Sequence, residues 1–103
     1  MLAGEAVRRE VLRLPEGLQA DFLRIGDLLK AHGPQRVGMP YVRPLGNKLW
    51  EMRLHDETGI ARAIYAAGQG RRLIVLHVFR KTTQETPRRA IDTALRRLKE
   101  FDR

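Results

Sequence analysis

The apolar residues of this chain change period part-way along it, and that change leaves few folds open. Through the first third they recur every three or four positions; from Leu49 onward they alternate. A period near 3.6 stripes one side of a helix, whereas a period of two sends successive side chains to opposite faces of a strand. Trp50, Met52 and Leu54 thus point one way and Leu49, Glu51 and Arg53 the other. In Ile60 to Ala66, Arg62 and Ile64 share one face, and Ala61, Ala63 and Tyr65 the opposite one. Leu73 to Lys81 sets Ile74, Leu76 and Val78 against Val75, His77, Phe79 and Lys81. The connections are short, with Gln69-Gly70 as one turn, and a parallel pair would need a long crossover; the three strands form an antiparallel meander.

Helices flank these strands. Val7, Val11 and Leu14 share one side of a short helix over Glu5 to Leu14, and Pro15 opens a second helix at its first turn. Leu18, Phe22, Ile25 and Leu29 keep the helical spacing as far as His32, where Gly33 ends it. Gly33 to Pro40, punctuated by two glycines and two prolines, reads as a loop. At Thr86-Pro87 the threonine hydroxyl can cap a free N–H, and a third helix follows with Ile91, Ala94, Leu95, Leu98 and Phe101 as its stripe. The fold class expected is α+β, a single domain over residues 1–103. A small antiparallel sheet would carry two N-terminal helices and one C-terminal helix on one face. The other face would stay open, with Glu51, Arg53, Arg62, His77 and Lys81 on it. Trp50 is assigned to the core.

Charge says more about partners than about fold. The formal net charge is +8, and it is unevenly spread: seven Lys/Arg against five Asp/Glu through Asn47, then thirteen against seven from Lys48 onward. A basic half of this kind favours polyanions, with nucleic acid or the ribosome first. The chain has no cysteine, which removes disulfide scaffolds and thiolate metal sites and fits a reducing cytoplasm. Charges at Glu5, Arg8, Arg9 and Glu10 stand where a signal peptide needs apolar residues, and no apolar run is long enough for a membrane. A cytoplasmic protein without a membrane partner is expected. The carboxylates, Asp56-Glu57 included, show no metal-ligand spacing, so neither metal nor other cofactor is expected.

Several short motifs in order resemble one family. They are Pro44-Leu45-Gly46, Leu49-Trp50-Glu51-Met52-Arg53, Arg62 with Tyr65, His77-Val78-Phe79-Arg80-Lys81-Thr82-Thr83-Gln84, and Thr86-Pro87. Together they resemble the RelE/HigB toxin superfamily, in its phage-derived HigB-like branch, over about Gly38 to Phe101. The resemblance implies a RelE-like fold and metal-independent cleavage of messenger RNA, usually on the ribosome. It also implies neutralisation by a helix-turn-helix antitoxin in a toxin–antitoxin hetero-oligomer. Members commonly begin with an edge strand before the first helix; here only Met1 to Gly4 precede it, so that strand is either absent or shortened, and the cover of one sheet edge is left undecided.

Cutting RNA without a metal needs an attacking 2′-hydroxyl, a base, donors for the charged phosphorane and an acid for the leaving 5′-oxygen. Arg62 matches the superfamily's arginine on the open face, and its fork can hold two phosphate oxygens; the alternative is a cross-strand pair with Glu51. The resemblance gives Lys81, at the end of the last strand, a role in phosphate stabilisation or proton transfer; a solvated lysine is the alternative. Arg53 can contact RNA backbone or be salt-bridged. Phe79 can stack a base or fill core. Arg80, Lys48, Arg88 and Arg89 complete the basic RNA-binding set, and a solvated face is the alternative for the last helix. His77 reads as a satisfied, partly buried histidine rather than an acid or base, and Tyr65 as a residue packed under the helices, with a hydroxyl that reaches substrate as the alternative. Two further functions stay open: a ParE-like toxin that binds a protein such as DNA gyrase, and a non-catalytic binder of nucleic acid or antitoxin.

Overall fold

The computed structural model describes residues 1–67, 72–80 and 85–101. Three helices come first, α1 (Glu5–Leu12), α2 (Glu16–His32) and the single-turn α3 (Pro34–Val37). Four strands follow, β1 (Val42–Gly46), β2 (Leu49–Asp56), β3 (Gly59–Ala67) and β4 (Leu73–Arg80), and α4 (Arg88–Phe101) closes the chain. The strands form one antiparallel sheet in chain order. This is the α+β class expected, and helices before and after a four-stranded sheet agree with a RelE-like fold.

The turns explain the registers. Between β1 and β2, Asn47 and Lys48 both take positive φ, 51° and 67°, the handedness that matches strand twist in a tight hairpin. Between β2 and β3, Asp56 Oδ1 accepts the Thr58 N–H at 2.7 Å and the Thr58 hydroxyl at 2.6 Å. Arg53 then stands directly opposite Arg62, and Glu51 opposite both Arg43 and Ile64. The Gln69-Gly70 turn lies outside the described residues.

The helices divide between the two faces, which corrects the expectation that all of them share one. Val42, Met52, Leu54, Ala61, Ala63, Tyr65, Val75 and Val78 pack under α1 and α2 with Val7, Leu14, Leu18, Phe22, Ile25 and Leu29. Leu49, Ile64, Ala66, Ile74 and Leu76 form a second core under α4 with Ala90 and Ala94. Both faces carry an apolar patch, so both need cover. α4 spans only part of the second face and leaves the part holding Glu51, Arg53 and Arg62 beside it. The Gly33 to Pro40 stretch is also corrected, since α3 forms within it. Trp50 is only half-buried, against the first core.

β4 departs from simple alternation. His77 pairs with Ile64 and Val75 with Tyr65, so Leu76 is an extra residue in the ladder, a β-bulge. Past the bulge the parity inverts: Val78 joins the α1/α2 core while His77 and Phe79 turn to the α4 face. That replaces the expected grouping of Val78 with Ile74 and Leu76.

The outer edge of β4 is closed by the chain itself, which decides the cover that the sequence leaves open. Leu2 forms a parallel bridge with Val75. The Met1 ammonium donates to Leu73 O at 2.8 Å, the Val75 N–H to Met1 O at 2.8 Å, and the Ala3 N–H to Val75 O at 2.9 Å. Farther along, Arg97 donates to Leu76 O at 3.0 Å and the Val78 N–H to Glu10 at 3.0 Å. These bonds occupy groups that an exposed edge would offer to another strand.

Candidate functional site

Glu51 is the most unusual residue of the sheet: a carboxylate with 0% exposure. β2 alternation sends it to the second face, beside the α4 core. Arg43 Nε donates to its Oε1 at 3.1 Å, Arg62 Nε lies 3.2 Å from the same oxygen and Arg53 Nε 3.7 Å from it. The Thr86 hydroxyl, on the approach to α4, donates to Oε2. This corrects the expected role of Thr86, whose hydroxyl serves the buried carboxylate; α4 begins instead on Pro87 O, which accepts the Ala90 N–H at 3.0 Å.

Three guanidiniums from three adjacent strands therefore share one carboxylate, a formal excess of two positive charges. Opposed arginines repel across a strand pair, and Glu51 is what permits Arg53 and Arg62 to face each other. Arg62 is only 7% exposed. Burial, together with Arg53 and Arg43, holds its pKa below the usual guanidinium value, while Glu51 pulls it back. The Nε groups of Arg53 and Arg62 are buried and make no hydrogen bond with the described residues. Arg88 and Arg89 add positive charge to the first turn of α4, which holds no acidic residue and where the helix dipole is already positive.

The family described as phage-derived protein Gp49-like (DUF891) matches residues 9–99. The chain belongs to this family. A search of curated proteins finds no match.

In this Gp49-like chain the expected site residues are partly gathered and partly dispersed. Arg53 and Arg62 meet at Glu51, so the cross-strand pair weighed for Arg62 is present. Phe79 lies opposite Arg62 on the same face, half-buried, with its ring stacked on His77 at 5.0 Å between centroids. Arg80 pairs with Ala61, so it points to the other face, and donates to Thr58 O at 3.4 Å. Lys48 is exposed in the β1–β2 turn, and Arg88 and Arg89 are exposed beside the Thr86 contact. Arg88 pairs with Asp92 at 3.2 Å. Lys81 lies outside the described residues. So do Thr82, Thr83 and Gln84 of the same motif.

His77 is a satisfied histidine. Its Nδ1 lies 3.1 Å from both oxygens of Glu10, which also accept from Arg97 at 2.9 and 3.0 Å. Tyr65 is fully buried among the α1/α2 core residues, as expected, and burial pushes its phenol well above its ordinary pKa. Three partners, Arg43, Glu10 and Arg97, are not legible in the sequence. Arg43 was hidden because β1 was not recognised, although its position opposite Glu51 follows once that strand is drawn. Glu10 and Arg97 come together across 87 positions, with no local signal beyond charge. Among the described residues no three His, Asp or Glu side chains group so as to hold a metal ion, and no helix is long and apolar enough to cross a membrane.

Proposed function

We propose that this chain is a toxin of the RelE/HigB superfamily, in its HigB-like branch, that cleaves messenger RNA on the ribosome without a metal and is neutralised by a helix-turn-helix antitoxin. The observation that supports it is the arginine cluster: Arg43, Arg53 and Arg62 held together by one buried carboxylate, with a net positive charge. Preorganised donors of this kind stabilise the charge that develops on phosphate oxygens as a 2′-hydroxyl attacks in line. Arg62 and Arg53 contact the non-bridging oxygens. The 2′-oxygen bonds to phosphorus as its proton passes to water, the P–O5′ bond breaks and Lys81 hands a proton to the departing 5′-oxygen, which gives a 2′,3′-cyclic phosphate and a free 5′-hydroxyl. Glu51 is a positioning residue, since its oxygens are taken by the arginines and Thr86.

The test is inducible expression with and without the neighbouring gene, followed by mapping of RNA ends. New ends should appear on induction and vanish with Arg62→Ala and with Lys81→Ala. Growth arrest with unchanged transcripts would refute the nuclease reading. Cutting that survives both substitutions would refute the residue assignment.

A further inference from the structure

Beside the arginine cluster, β1 stops short: its pairing with β2 ends at Val42 and Met52, and the last bond runs from the Arg53 N–H to Tyr41 O at 2.7 Å. The strand end left uncovered opens a cleft of about 490 Å3, within the roughly 300–1,000 Å3 of small-molecule sites. Arg53 and Arg62 line one part of it, and Tyr41, Ile60, Asp21 and Arg24 another. Tyr41 and Ile60 are large apolar side chains exposed at 38% and 46%. The Tyr41 ring is held in place, because the Arg24 guanidinium lies 5.3 Å from its centroid. Arg24 is fixed by Asp21 at 2.7 Å, and the other Asp21 oxygen accepts the His55 N–H at 2.9 Å.

One cleft thus joins a fixed aromatic platform and an exposed aliphatic wall to two guanidiniums of the cluster, Arg62 buried and Arg53 partly exposed. A flat ring attached to a phosphate answers both halves. We propose that this cleft binds one nucleotide of a single-stranded RNA next to the cleaved phosphate, with the base between Tyr41 and Ile60 and its phosphate on Arg53 and Arg62. The proposal rests on the RNA reading above. A strand fits better than a free nucleotide because Arg43, which shares Glu51 with Arg53 and Arg62 and keeps 34% side-chain exposure, can take a neighbouring phosphate.

The experiment is an NMR titration of the wild-type chain with an uncleavable 2′-O-methyl trinucleotide, with the four nucleoside 5′-monophosphates and with inorganic phosphate. The trinucleotide should shift Tyr41 and Ile60 signals and bind at least about tenfold tighter than any monophosphate; inorganic phosphate should move arginine signals alone. Tyr41→Ala should weaken the trinucleotide about tenfold and Tyr41→Trp should restore it. Leu23→Ala, at an exposed position on α2, should change nothing. Trinucleotide shifts confined to arginines, equal affinity for monophosphates, or a Tyr41→Ala protein that binds like wild type would each overturn the proposal. A wild type that fills the cleft but cuts no RNA in cells would sink the nuclease reading and keep the subsite. Cutting by Tyr41→Ala with unchanged base preference would do the reverse.

Discussion

Replacing Glu51 by glutamine keeps the shape of the side chain and removes only its charge, so the cost measures what the carboxylate does for three arginines. Arg43 and Arg53 keep 34% and 28% side-chain exposure and can turn toward water, whereas Arg62, at 8%, cannot. Stranding one buried charge costs about 3–5 kcal/mol. The partial freedom of the other two arginines puts Glu51→Gln near the lower end, about 3 kcal/mol. A domain of this size has only about 5–15 kcal/mol in total, and the midpoint of thermal unfolding should fall by roughly 10–20 °C. Urea unfolding at pH 7 reads the loss directly. Millimolar phosphate should restore part of it, since an anion bound only by the folded state stabilises it by mass action. The double variant Glu51→Leu/Arg62→Leu should be more stable than Glu51→Gln, because it leaves no stranded charge. A Glu51→Gln protein within about 0.5 kcal/mol of wild type, or a double variant whose losses simply add, would refute this account of the cluster.

The Glu10 carboxyl is pushed up by burial but drawn down further by His77, Arg97 and the Val78 N–H, to about 2 from an ordinary 4.5. A depressed folded-state pKa gives stability that is present above pH 4.5 and lost as pH falls from there toward 2. Urea midpoints measured between pH 6 and pH 2 should show a loss of about 2–3 kcal/mol, absent in Glu10→Gln. Gly26 lies inside α2, and a Cβ added there meets nothing within 4 Å; Gly26→Ala should stabilise by about 0.5–1 kcal/mol, read by the same unfolding assay. RNA affinity should fall with salt by about 0.7 log units per decade for each phosphate neutralised. Arg53→Ala should shed about one such increment in a fluorescence anisotropy titration, while Arg9→Ala, on exposed α1 surface, should leave the slope alone.

The strands that could be read from sequence were those whose two faces differ in kind. β2 alternates strictly, and its observed faces follow the alternation residue by residue. β1 was invisible because Pro44 and Gly46 interrupt it, and a proline inside a strand is tolerated only at an edge, where β1 lies. The side on which α4 packs is not legible in the sequence, because a helix stripe says that it is buried, not against what. Leu49, Ile64, Ala66, Ile74 and Leu76 on the second face carried the missing signal, since so much apolar surface needs a cover. The bulge at Leu76 was unreadable because alternation assumes an unbroken ladder. Within the site, Glu51, Arg53 and Arg62 were legible as one face of a sheet. Arg43 and Thr86 required the fold itself, since nothing in their local sequence points to Glu51.

The extra residue in β4 is a spare rung of the ladder. Val75 already stands opposite Tyr65 and His77 opposite Ile64, so a chain without Leu76 would close into a regular strand with His77, Val78 and Phe79 on the sides they now hold. What such a deletion removes is one aliphatic side chain from the core under α4, together with the carbonyl that Arg97 bonds. Length and facing are therefore uncoupled at this point of the strand, and the bulge lets β4 lose one residue without exchanging the contents of the two cores.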